Sequence, residues 1–166
     1  MPDFAPALAW IDAQAGAMRD LVIELGNINS NTRNLEGLAC LTQALQPHLS
    51  KLESNIESIP LPAEQLIDSQ GREVSLPLAP AIRLRKRASA SLQVFLNIHI
   101  DTVYPKDDPF QTVEQLDANT LRGPGVIDAK GGLVVLLTAL QALERSGLAV
   151  PQAADLLLLA QRHRHG

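Results

Sequence analysis

The sequence predicts an α/β fold, and three features of the chain support this class. The 166 residues, 46% of them hydrophobic, are enough for one core at the usual ~100–200 residues per domain. Residues 92–100 form a nearly continuous apolar run, which predicts a central strand buried on both faces. A loop, an apolar helix over 131–143 and a second apolar run at 155–159 follow it. This order is typical of a βαβ unit with parallel strands and a right-handed crossover.

The first third of the chain predicts two helices. Apolar residues recur at helical spacing over residues 5–25, and Gly26 with the polar residues after it ends this first helix. A second helix is expected to run to about residue 49, although Gly37 weakens it slightly. Its expected buried side consists of leucines at helical spacing: Leu35, Leu38, Leu41, Leu45 and Leu49.

Short strands are expected next. Residues 55–61 predict one strand, and residues 65–68 and 73–78 flank a turn, which predicts a hairpin. Prolines after the hairpin place it at an edge, because proline cannot donate to a strand ladder. The basic run over 83–87 is interpreted as a solvated strand end in preference to an anion site. A further weak hairpin is expected around residues 117–119.

Composition excludes several classes of protein. The net charge is −4 and aromatic residues make up 3% of the chain, which argues against nucleic acid as a partner. The single cysteine, Cys40, excludes an internal disulfide and a thiolate zinc site. No apolar run is expected to approach the ~20 residues of a membrane span, and the N-terminus lacks the pattern of a secretory signal. A cytoplasmic protein with no membrane partner is expected.

The first candidate site lies at the end of the apolar run 92–100. His99 and Asp101 are two residues apart, so in a strand both side chains point to the same side. Ligands of open α/β sheets bind beyond the carboxyl ends of strands. A carboxylate beside an imidazole fixes its tautomer and raises its basicity. Taken alone, such a pair is more often a structural hydrogen bond than a ligand site.

The second candidate site is the glycine-rich stretch 122–132, which leads directly into the apolar helix. Its glycines allow the backbone to approach a ligand closely, and Asp128 lies near the helix N-terminus, where negative charge is favourable. An ordinary N-cap aspartate is the competing explanation. A phosphate loop is disfavoured, because no strand directly precedes Gly123 and no Gly-Lys-Ser/Thr sequence occurs.

Together the two sites resemble the motifs of the dinuclear zinc aminoacylase and carboxypeptidase family. This family includes acetylornithine deacetylase, succinyl-diaminopimelate desuccinylase and the glutamate carboxypeptidases. The resemblance rests on His-x-Asp at 99–101 and on Gly-x-Gly-x-x-Asp-x-Lys-Gly-Gly at 123–132. Residues 28–37 and 99–104 are similar to the glutamate carboxypeptidase branch. Residues 1–159 would be the N-terminal part of a phosphorylase/hydrolase-like three-layer catalytic domain with a mixed, largely parallel central sheet.

The resemblance also implies a metal-dependent reaction. His99 would bind one zinc ion, Asp101 would support the His99 imidazole as a residue of the catalytic site, and Asp128 would bridge two ions, with cobalt or manganese as alternatives to zinc. The Asp128–Ala129 peptide bond would be cis. Two such ions activate a water and polarise a carbonyl. The implied reaction is hydrolysis of an amide bond next to a free carboxylate, in an N-acyl amino acid or a peptide, by an enzyme that is often a homodimer.

The sequence departs from the family after residue 159. A Glu-Glu pair supplying the general base and a zinc ligand is expected there, but residues 160–166 read AQRHRHG. A frameshifted end and a fragment boundary are two explanations. In a third, His163 and His165 serve as substitute metal ligands. We expect the 166-residue chain to be inactive and poorly soluble, and a non-catalytic interaction module that retains only the fold is the alternative function.

Overall fold

The computed structural model describes residues 3–146, with their side chains, and the backbone of residues 152–159. The tail 160–166, with the candidate ligands His163 and His165, lies outside the described residues. The described part of the chain includes both motifs.

The described helices fall close to their expected positions. They are α1 (Ala5–Ala13), α2 (Ala15–Gly26), α3 (Leu35–Ser50) and α4 (Gly131–Arg145). The single helix expected over residues 5–25 was wrong in one respect: it is divided at Gln14, where ψ is −3° and the regular helical backbone is interrupted. The expected burial of Leu35 was also wrong. Leu35 is 37% exposed because it is the first residue of α3, where the helix enters from the surface.

The strands form one mixed sheet and two separate hairpins. In chain order they are β1 (Asn55–Ile59), β2 (Glu64–Ile67), β3 (Glu73–Leu76), β4 (Ala81–Lys86), β5 (Leu92–His99), β6 (Glu114–Asp117), β7 (Thr120–Arg122) and β8 (Gln152–Leu159). The sheet has the order β1-β4-β8-β5, and β2–β3 and β6–β7 are the hairpins. β5 and β8 are parallel, which confirms the βαβ unit, whereas β4 is antiparallel to both β1 and β8.

The expectation that β5 is a central strand buried on both faces was wrong for the described sheet. β5 lies at one end of that sheet, and Phe95 is 61% exposed. Leu96 and Ile98, which alternate with Phe95, instead pack against the core. The continuous apolar run concealed this alternation, because apolar residues occupy both faces of the strand.

One hydrophobic core joins the helices to the sheet. Its buried members come from α2, α3, β4 and α4 and from the residues directly after α3, before β4 and after β5. They are Leu21, Leu25, Leu38, Leu41, Leu45, Leu49, Leu52, Ala79, Ile82, Leu84, Ile100, Leu133, Val134 and Leu137. Ile100 therefore anchors the chain between His99 and Asp101, and Leu133 anchors the start of α4. Both candidate motifs are thus attached to the same core.

One apolar segment is longer than the sequence alone suggested. Val126–Arg145 is a stretch of 20 residues in which an 18-residue window has a mean hydropathy of 1.6, and by length and composition alone it could cross a membrane. The expectation that no stretch approaches this length was therefore wrong. Leu133, Val134 and Leu137 on this segment pack in the protein core, and a buried core helix has the same composition.

Glu144 near the end of α4 holds the helix against the basic end of β4. Its carboxylate accepts hydrogen bonds from Lys86 Nζ at 2.8 Å and from Arg87 Nη2 at 2.7 Å. Burial raises the pKa of Glu144, but the hydrogen bonds and charges of Arg87 and Lys86 together outweigh burial and hold this pKa below its ordinary value. Part of the basic run is therefore paired with an acidic residue.

We expect the Glu144→Gln variant to lose about 1 kcal/mol of unfolding free energy at neutral pH. Because the pKa is lower in the folded chain than in the unfolded chain, this stabilisation is present above the unfolded pKa. It is lost as the pH falls through the folded pKa. Urea unfolding of both chains over the acid range measures the difference. Glu36→Gln, which breaks the more exposed pair with Lys106, is the control. A difference that does not change with pH would contradict the prediction.

Candidate metal centre

The structure brings His99 and Asp128 together, although 29 positions separate them in the sequence. β5 ends at His99, and a wide turn, Val126–Lys130, carries Asp128 to the same place before α4 begins. His99 Nε2 and Asp128 Oδ1 are 2.8 Å apart. The side chain of Asp128 is 48% exposed and that of His99 is 21% exposed, so solutes can reach this pair.

Asp101 lies on the Nδ1 side of the His99 ring, opposite Asp128, and is completely buried. Its Oδ1 atom is 3.1 Å from His99 Nδ1, and its backbone oxygen lies at the same distance. The second carboxylate oxygen, Oδ2, accepts a hydrogen bond from the Thr32 hydroxyl. A carboxylate in this position fixes the orientation of the imidazole and directs Nε2 towards Asp128.

A segment from the beginning of the chain supports this end of β5. The backbone N–H of Thr102 donates to Ser30 O at 2.8 Å, and the N–H of Thr32 donates to Thr102 O at 3.1 Å. These bonds form a short parallel bridge between the two segments. Residues 28–37 carry part of the family resemblance, but their pattern assigned Thr32 no role in the site. A polar run between two helices was the available signal.

Two asparagines hold that segment in place. Asn29 Nδ2 donates to Tyr104 O at 3.1 Å and to Gln111 Oε1 at 2.8 Å. Asn34 Nδ2 donates to Asn29 O at 3.0 Å, while Asn34 Oδ1 caps α3 by accepting from the N–H of Gly37. The loop after β5 and the start of α3 are therefore joined through side-chain amides.

The glycines of the second motif are explained by close packing. Gly125 has a positive φ of 73°, and a Cβ atom there would lie 2.8 Å from Thr102 Cγ2. A Cβ atom at Gly131 would lie 2.3 Å from Val126 O. The Asp128–Ala129 peptide bond is cis, as expected from the resemblance. These positions require glycine because the turn folds tightly against the end of β5 and onto itself.

Lys130 is a buried residue of the turn that no sequence pattern marked as a site residue. Its side chain is 1% exposed, and Nζ donates to Ile28 O at 2.8 Å. Burial lowers the pKa of Lys130 to about 8. The lysine therefore joins the Asp128 turn to the N-terminal segment at Ile28. Its place in the Asp-x-Lys motif was the sequence signal that could have pointed to it.

The donor atoms present suit zinc but form only part of a zinc site. Imidazole nitrogen and carboxylate oxygen are preferred zinc ligands, and catalytic zinc sites use three protein ligands. Within residues 3–146, no group of three or more His, Cys, Asp or Glu side chains is placed to hold one metal ion. His99 and Asp128 can therefore supply two ligands, and the remaining ligands would come from outside the described residues.

This fold and this arrangement of motifs correspond to a known class of metallopeptidases. Residues 95–161 match the family model of peptidase family M20/M25/M40, and this segment contains His99, Asp101 and Asp128. The family resemblance inferred from the sequence is confirmed, and the chain is related to the M20 metallopeptidases. The predicted α/β fold class is confirmed as well, since solved metallopeptidase-family structures share this fold with TM-scores of 0.78 and 0.60.

Individual relatives cover this chain well but are much longer. Carboxypeptidase G2 from Pseudomonas sp. (strain RS-16) is 25% identical over 140 residues, which cover 84% of this chain and 31% of that protein. Human carnosine dipeptidase 1 has a TM-score of 0.78 at 17% identity, over 100% of this chain and 36% of that one. The dipeptidase Dug1p from Saccharomyces cerevisiae has a TM-score of 0.74 at 18% identity, over 96% and 35%. The chain thus spans about a third of the length of these relatives.

Proposed function

We propose that this chain is part of a zinc-dependent hydrolase that cleaves an amide bond next to a free carboxylate. The observation that carries the proposal is the convergence of His99 Nε2 and Asp128 Oδ1 at 2.8 Å, with Asp101 holding the opposite side of the imidazole. Family membership supports the hydrolytic class. The substrate would be an N-acyl amino acid or a peptide with a C-terminal glutamate-type residue.

Each of the three side chains has a distinct role in the proposal. His99 presents Nε2 as a metal ligand because Asp101 occupies Nδ1. Asp128 has two carboxylate oxygens, so it can bridge two cations. Zinc, with cobalt or manganese as alternatives, would supply Lewis-acid polarisation of the amide carbonyl and a water of lowered pKa. A general base would come from outside the described residues.

The names of the relatives support the substrate class. Carboxypeptidase G2 is named as a carboxypeptidase, and two structural neighbours are named as dipeptidases. These names concern peptide substrates, which agrees with the proposed cleavage of an amide bond next to a free carboxylate. A homodimeric state and a cytoplasmic location stay predictions.

Metal binding by the 166-residue chain tests the site. Zinc affinity is measured by competition with a chromophoric chelator. We expect the His99→Ala variant to bind zinc at least about 100-fold more weakly than the wild-type chain, because a ligand is lost outright. His48→Ala, which removes an imidazole from the last turn of α3, is the matched control. Equal zinc affinity of the wild-type chain and His99→Ala would overturn the proposed site.

A non-catalytic binding module is the second candidate, because only two candidate ligands converge within the described residues. The two functions are distinguished by the coding sequence that follows residue 159, read in all three frames. A Glu-Glu segment encoded there in another frame supports the hydrolase. Its absence, together with zinc binding that depends on His99, supports a module that retains the fold and the metal site alone.

A further inference from the structure

We propose that Thr32 is a positioning residue of the metal centre, through its hydroxyl bond to Asp101. This inference rests on the proposed metal site and assigns a role to a segment about 70 positions away from it. Thr32 does not touch the proposed metal position. It acts on His99 through the buried carboxylate between them.

The contacts form a continuous chain of hydrogen bonds. The Thr32 hydroxyl donates to Asp101 Oδ2, Asp101 Oδ1 lies 3.1 Å from His99 Nδ1, and His99 Nε2 lies 2.8 Å from Asp128 Oδ1. Each side chain therefore fixes the next one. The two oxygens of Asp101 have separate partners, one on each side of the carboxylate.

Asp101 needs this second partner because it is completely buried. A carboxylate has several acceptor positions, and a buried one is stable only when donors occupy them. Rotation of a carboxylate about its terminal torsion is soft. With a donor on each oxygen the plane of the carboxylate is fixed, and with one donor removed it can turn away from His99 Nδ1.

The backbone delivers the Thr32 hydroxyl to this position. Thr32 N–H donates to Thr102 O at 3.1 Å, and Thr102 N–H donates to Ser30 O at 2.8 Å. The bridge therefore sets Thr32 beside the residue that follows Asp101. These two backbone bonds fix the position of residue 32, so its side-chain hydroxyl is already close to Asp101.

The test compares Thr32→Val, which keeps the shape but removes the hydroxyl, with Thr32→Ser, which keeps the hydroxyl. Thr138→Val is the matched control, because Thr138 is a buried threonine whose hydroxyl donates only to Val134 O within α4. The first readout is the downfield NMR signal of the His99 Nδ1 proton in the metal-free chain, assigned by its loss in His99→Ala. The second is zinc affinity.

We expect the His99 Nδ1 proton of Thr32→Val to exchange with water roughly tenfold faster, the effect of losing one hydrogen bond. We expect zinc affinity to fall about 10–100-fold, as for other residues that orient a metal ligand. Thr32→Ser and Thr138→Val should resemble the wild-type chain in both measurements. A purely structural role would lower the melting temperature of Thr32→Val and leave both readouts unchanged.

An unchanged Nδ1 proton in Thr32→Val would overturn the inference, and so would equal damage in Thr32→Ser. The proposed function fails by a different result, namely equal zinc affinity of the wild-type chain and His99→Ala. The proton measurement needs no metal. It therefore decides the role of Thr32 even if the zinc titration rejects the metal site.

Discussion

Replacing Gly37 with alanine is expected to lower the free energy of unfolding by about 3 kcal/mol, at the upper end of the range for overpacked sites. A Cβ atom at position 37 would lie 1.9 Å from Asn29 O and 2.3 Å from Asn34 Nδ2. The backbone at Asn29 has to move, and the Asn34 side chain loses its place as the cap of α3. The gain in helix propensity is only about 1 kcal/mol, so the clash decides the sign.

Urea unfolding followed by circular dichroism measures this loss, and Gly16→Ala is its control. Gly16 also lies in a helix, α2, but a Cβ atom there would meet nothing within 4 Å. The control is therefore expected to gain up to about 1 kcal/mol from helix propensity. A stabilised Gly37→Ala variant would show that the segment around Asn29 adapts freely, contrary to the packing described above.

Truncation of Lys130 to alanine is expected to cost about 2–4 kcal/mol of unfolding free energy, as for other large side chains removed from a core. The side chain is 1% exposed, and its Cδ atom would lie 3.1 Å from a Cβ at Gly125. Its aliphatic stem therefore packs against Gly125, directly before the Asp128 turn. The amine adds a hydrogen bond to Ile28 O.

Lys130→Met separates the stem from the amine. Methionine keeps most of the volume and loses the bond to Ile28 O, while the cost of burying a charged amine disappears. We expect this variant to lie within about 1.5 kcal/mol of the wild-type chain, as for volume-conserving changes in a core. If Lys130→Met were as unstable as Lys130→Ala, the amine rather than the packed stem would hold the turn.

Local signals in the sequence accounted for most elements and for the paired motif residues. Turn residues predicted the hairpins, leucines at helical spacing predicted α3, and an apolar run after glycines predicted α4. The spacing of His99 and Asp101 predicted their common side. Local signals failed where burial depends on segments that are distant in the sequence. Leu35 is exposed at the start of α3, and β5 lies at the end of the described sheet.

The sequence by itself determined the fold class, the two motifs and the family resemblance, because these depend on residue types at fixed spacing along the chain. Only the tertiary structure brought Thr32 to Asp101 and Lys130 to Ile28, across about 70 and 100 positions. Such contacts depend on how segments pack around a shared core, and no short-range pattern records them. The contacts of the Thr32 hydroxyl and of the buried Lys130 amine are therefore properties of the folded chain alone.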